Sequence, residues 1–85
     1  MSDLKRIKLE AKTLESMLLA SKSRFAPEAY ESLKPYFSKI ESMDHYEPIG
    51  KVRLVRLFME TDLSDDKDLF ECYGRFANLV EGINV

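Results

Sequence analysis

The chain offers two side chains for nucleophilic or general-base chemistry, the thiol of Cys72 and the imidazole of His45, and they stand 27 residues apart. A cysteine–histidine nucleophile needs thiol and ring within hydrogen-bond reach and a third group that orients the ring. Nothing in the spacing supplies that third group, and Glu71 beside Cys72 disfavours a thiolate. A metal reading fares no better. The stretch Asp62-Leu63-Ser64-Asp65-Asp66-Lys67-Asp68 partly matches a calcium loop, which requires glycine at its sixth position and glutamate at its twelfth. Counted from Asp62, those positions hold Lys67 and Tyr73. There is no phosphate-binding glycine motif, no zinc spacing and no nucleophile elbow. The residues therefore assign no catalytic, cofactor-binding or metal-ligating site, and the expectation is a protein that is not an enzyme.

What the chain does offer is charge. From Glu60 to Glu71 it carries six carboxylates and one lysine: Glu60, Asp62, Asp65, Asp66, Asp68 and Glu71 around Lys67. Part of this is helix grammar, because carboxylates stabilise a helix's first turn by meeting its positive end. Capping accounts for Asp65, Asp66 and Asp68, but not for Glu60, Asp62 and Glu71. Like charges this dense repel one another, and such a patch attracts a basic partner by long-range steering. All six are the candidate partner-binding residues.

The elements that must carry this run are helical. The chain has 85 residues, 45% hydrophobic and 33% charged, and a net charge of −2. That is a globular balance in a single domain spanning 1–85. The charge is uneven: residues 1–40 hold eight basic and five acidic side chains, residues 41–85 five and ten. A single cysteine makes no internal disulfide, which points to a reducing cytoplasm. No apolar run approaches the ~20 residues of a membrane span.

Four helices are expected. The first starts at a Ser2 cap and runs on the stripe Leu4, Ile7, Ala11, Leu14 and Leu18, widened by Met17 and Leu19. The second starts at Ala26-Pro27, where proline suits the first helical position. Its stripe of Tyr30, Leu33, Phe37 and Ile40 stays in phase across Pro35, which kinks or breaks the helix. After a connector from Ser42 to Gly50, a third helix is expected over Ile49–Glu60, with Val52, Val55, Phe58 and Met59 on one face. The fourth is capped by Ser64, follows Leu69, Tyr73, Phe76, Val80 and Ile83, and ends at Gly82. Gly74 within it implies close approach of another helix. The expected core is Leu14, Leu33, Phe37, Val55, Phe58, Tyr73, Phe76 and Val80. The fold class is all-α, a small four-helix bundle with its second helix kinked or broken at Pro35.

From Ser23 to Val85 the chain resembles the MafI-like group of small helical bacterial immunity proteins. The resembling stretches are Arg24-Phe25-Ala26-Pro27-Glu28-Ala29-Tyr30-Glu31-Ser32-Leu33, then Met59-Glu60-Thr61-Asp62-Leu63-Ser64-Asp65-Asp66, then the closing helix ending at Gly82. The chain departs from that pattern at Asp44-His45-Tyr46-Glu47-Pro48-Ile49-Gly50, and its first helix has no counterpart there. The resemblance implies a short helical bundle, with an acidic turn before its last helix, that neutralises a secreted toxin.

The leading functional expectation is a non-catalytic binding protein, an immunity protein or antitoxin that inhibits a basic bacterial toxin or nuclease by occluding it. Two alternatives stay open. One is a small nucleic-acid-associated or phage-type transcription regulator using Lys5, Arg6, Lys8 and Lys12, with Arg53 and Arg56. No recognition-helix pattern or stacking aromatics accompany those cations, which disfavours nucleic acid. The other is a homodimeric structural module. The partner call is a protein rather than a membrane, for a monomer or homodimer in the cytoplasm.

Overall fold

Three amphipathic stretches of the sequence become long helices in the computed structural model, which describes residues 3–82. The expected Ser2 cap and the expected packing of Ile83 lie outside those residues. Helix α1 spans Asp3–Ala20, α2 Ala26–Glu41 and α4 Lys67–Glu81, with a one-turn α3 at Val55–Met59 and a 3-10 turn at Asp62–Asp65. The fold is all-α, with 72% helix and no strand among the described residues. The radius of gyration is 12.1 Å, against about 12 Å for a compact domain of this length.

Helix α1 is the centre of the assembly, packing against both α2 and α4. Its buried positions, Ile7, Ala11, Leu14 and Leu18, recur every three or four residues and form one stripe. Leu19 falls off that stripe and is 67% exposed, so it does not widen the core as expected. Helix α2 buries Ala26, Ala29, Leu33, Phe37 and Ile40 and is unbroken through Pro35. Pro35 and Glu31 are both on the solvent side, where water can satisfy the carbonyl that the proline ring leaves without its usual donor. Seven of the eight expected core residues are buried; Val55 is the exception at 45% exposed.

The third helix is a correction. It was expected over Ile49–Glu60 and exists only over Val55–Met59. Ile49, Gly50 and Lys51 are spent on tertiary bonds instead. The amides of Ile49 and Gly50 both donate to the Val80 carbonyl, at 2.8 and 3.1 Å. The Tyr46 hydroxyl donates to the Leu79 carbonyl at 2.6 Å. A strap from Tyr46 to Gly50 thus satisfies carbonyls in the last turn of α4, which a helix leaves without internal partners. Gly50 sits at φ +138°, which excludes a regular helix there. Val52 is buried from this irregular segment, and Met59 points to solvent at 67% exposure. Phe58 is the one fully buried residue of α3, stacked on Tyr73 at 4.4 Å and Phe70 at 6.0 Å between ring centroids.

The cap of α4 is also corrected. Ser64 lies inside the 3-10 turn, its hydroxyl donating back to the Thr61 carbonyl at 3.4 Å. The N-cap is Asp66, whose carboxylate accepts from the Leu69 amide at 3.2 Å. Asp66→Ala should therefore cost about 0.5–2 kcal/mol, and Ser64→Ala well under that. Equilibrium urea unfolding of the two variants checks the order, and a larger loss at Ser64 would contradict it. Gly82 closes the helix at φ +79°, as its position predicts. Gly74 does not mark a helix contact: a Cβ built there meets nothing within 4 Å.

Candidate functional site

The acidic run folds as a descending series of caps. Thr61 closes α3 by donating to the Leu57 carbonyl at 2.6 Å, then opens the 3-10 turn by accepting from the Leu63 amide at 3.3 Å. Leu63 is buried beneath that turn. The turn holds Asp62 to Asp65 and hands over to α4 at Asp66.

Within this frame the six carboxylates divide into two sets. Glu60 accepts from Arg56 one turn earlier at 3.5 Å, an exposed pair of the kind worth under about 1 kcal/mol. Asp62 accepts from the Ser23 hydroxyl, and Ser23 also accepts from the Phe25 amide at the entry to α2. Asp62 is thus tied to the α1–α2 turn, a contact that no local pattern announces. Asp66 is the cap of α4. The second set is Asp65, Asp68 and Glu71. All three are exposed, and none makes a hydrogen bond or ion pair with a described residue. Asp68 and Glu71 lie three residues apart on α4 and share a side of it. Asp68 stands in the first turn of α4, a favourable place for a carboxylate, and the Glu71 charge acts weakly on Arg75, so what these three add to the fold is slight.

Cys72 and His45 are not brought into a catalytic arrangement. His45 is exposed on the connector, 3.9 Å from the Glu47 carboxylate. Cys72 is fully buried where α4 meets α1, its sulfur 3.7 Å from a carboxylate oxygen of Glu10. Arg75 holds that same carboxylate through its Nε, at 3.3 and 3.2 Å from the two oxygens. Burial first, and the Glu10 charge second, push the Cys72 thiol up to about 11 from its ordinary 9.0, against a smaller opposing pull from Arg75. The carboxylate that matters is Glu10, 62 residues away in the chain, and not the neighbouring Glu71. Such a thiol is a poor nucleophile at neutral pH.

The raised thiol pKa has a consequence for stability. The folded chain keeps this proton over a pH range in which the unfolded chain has lost it. The contribution is complete below about pH 9 and is lost as pH climbs through about 11. Burial also pushes the Tyr73 phenol above its ordinary 10.0, which adds a second decline at higher pH. Cys72→Ala should flatten the part of the decline that begins near pH 9 and leave the Tyr73 part. Urea midpoints measured across that range check this, and parallel curves for the two proteins would contradict it.

Two concavities complete the surface. A groove of about 380 Å³ between α1 and α2 has Ala11, Phe37 and Ile40 at its floor. Lys8 and Lys12 line it together with Glu15 and Glu41, so its charges cancel and select no ion. A second, of about 500 Å³, lies beside the connector at His45 and is the more polar of the two. Among the described residues no three histidine, cysteine or carboxylate side chains gather as a metal would need. No helix among them is long and apolar enough to cross a membrane. No protein-family model, curated protein or solved structure matches the chain.

Proposed function

We propose that this chain is a non-catalytic binding protein, an immunity protein or antitoxin that inhibits a basic bacterial toxin or nuclease by occluding it. The observation that carries the reading is the second set of carboxylates: Asp65, Asp68 and Glu71 are exposed and make no hydrogen bond or ion pair with a described residue. Clustered charge of one sign works against folding, so a role outside the fold accounts for it better than a role within it. The likeness of residues 23–85 to MafI-like immunity proteins supports the same reading. A partner's lysines and arginines, evolved to meet phosphate, would meet carboxylates on a rigid helix start instead. The rest of the domain would then block access to the partner's site. Inhibition of this kind needs no reacting group.

The corrected roles select the variants. Asp62 is bonded to Ser23 and Asp66 caps α4, so neither is a clean probe of recognition. Asp68→Lys with Glu71→Lys should slow association with a basic partner co-purified from the native host by about tenfold or more at low ionic strength. The slowing should fade as salt is added. Stability should fall by no more than about 1 kcal/mol, the worth of Asp68 at the helix start. Equal on-rates for the two proteins at low salt would remove the main physical support for the reading.

A further inference from the structure

The stretch from Lys51 to Asp65 has a charge order of which the proposed function uses Asp65 alone. Its exposed side chains run basic, apolar, acidic. Lys51, Arg53 and Arg56 come first, Val55 and Met59 lie at the middle, and Glu60, Asp62 and Asp65 follow. Three cations balance three carboxylates. Val55 and Met59 are one helical turn apart, so they share a side of α3, and they are 45% and 67% exposed. The stacking of Phe58 on Phe70 and Tyr73 ties the neighbouring face of this helix to α4. The helix thereby leaves two large apolar side chains turned to water.

We propose that this surface binds a second copy of the same chain. A two-fold interface sets one patch against itself with its direction reversed, so residue i of one copy meets residue j of the other and the reverse. With the axis passing through the Val55–Met59 face, the cations of each copy face the carboxylates of the other, Arg56 and Glu60 exchanging the partner each holds within one chain, and the apolar pairs meet at the centre. A patch of one charge would repel its own copy; this one is self-complementary because its two arms are of opposite sign. Charged arms around a small apolar centre give register and encounter rate more than affinity, so the dimer is weak and salt-sensitive. It covers Glu60 to Asp65 and leaves Asp68 and Glu71 open.

The test uses the full chain and two charge-swapped variants, with sedimentation velocity over a range of concentrations. The unaltered protein should dimerise reversibly, and less so as salt is raised. Lys51→Glu with Arg53→Glu, and separately Glu60→Lys with Asp65→Lys, should each raise the dimer dissociation constant by about tenfold or more. An equimolar mixture of the two variants should restore association, now as a heterodimer. Met59→Ser, which leaves every charge in place, should also weaken the dimer while the melting temperature holds. A chain that is monomeric throughout, swapped variants that dimerise like the unaltered protein, or a mixture that stays monomeric would each overturn the inference. Binding of a basic protein is read separately, with Asp68 and Glu71, so a monomer that still binds such a partner overturns this inference alone.

Discussion

Phe76→Ala is expected to lower the stability of this domain by about 3–5 kcal/mol, the range for truncating a fully buried aromatic side chain. Phe76 has no exposed surface and packs on Phe37 of α2 at 5.6 Å between ring centroids. It lies on the buried face of α4, which also packs against α1. Removing the ring therefore loosens the contact among all three long helices at once. Native domains hold roughly 0.05–0.15 kcal/mol per residue, about 4–13 kcal/mol for 85 residues, so a loss of this size takes a large share of the total. Thermal and urea unfolding followed by circular dichroism should show a large fall in midpoint, or a chain that is unfolded at room temperature. An unchanged midpoint would contradict the packing described for α4.

Gly82→Ala is expected to cost about 1–3 kcal/mol, for two separable reasons. The backbone at Gly82 is left-handed, at φ +79°, where an L side chain is strained. A Cβ there would also lie 2.9 and 3.0 Å from the Cγ and Cβ of Pro48, closer than real contacts allow. Pro48 cannot swing aside as a long side chain would, because its ring is fixed to a backbone held by the Ile49 and Gly50 amide bonds. The combination Gly82→Ala with Pro48→Ala should recover the steric part and leave the backbone part. A double-mutant cycle measures the split. Simple additivity would mean that the strap yields freely and that only the backbone conformation matters.

The helices that were legible in the sequence are those whose apolar residues keep step for several turns. Helices α1, α2 and α4 each bury a stripe at three- and four-residue spacing, and the burial of that stripe is what stabilises them. Ile49 to Leu54 was misread because its apolar residues are in helical step with those of α3, while the Ile49 and Gly50 amides are claimed by Val80 across the fold and Gly50 takes a non-helical φ. Local pattern carries no trace of a partner 31 residues away. The α4 cap was missed for a different reason. Thr61, Asp62, Ser64, Asp65 and Asp66 are all residue types that cap helices, and only the 3-10 turn decides which of them does. At the candidate site, the exposure of the six carboxylates was legible from their charge. Their division was not, because Ser23 and Arg56 reach Asp62 and Glu60 through geometry that spacing alone does not encode.

The central place of α1 has a consequence for how the chain comes into being. A ribosome delivers α1 and α2 early, and they can close on each other across a five-residue turn. The part of α1 where Glu10 later meets Arg75 has no cover until the last helix is made. Through that interval the nascent chain is an open hairpin with an apolar seam and a lone carboxylate facing water. The domain commits as a unit only when its final helix arrives. Premature termination before that point would leave a sticky fragment in place of a smaller, weaker version of the protein.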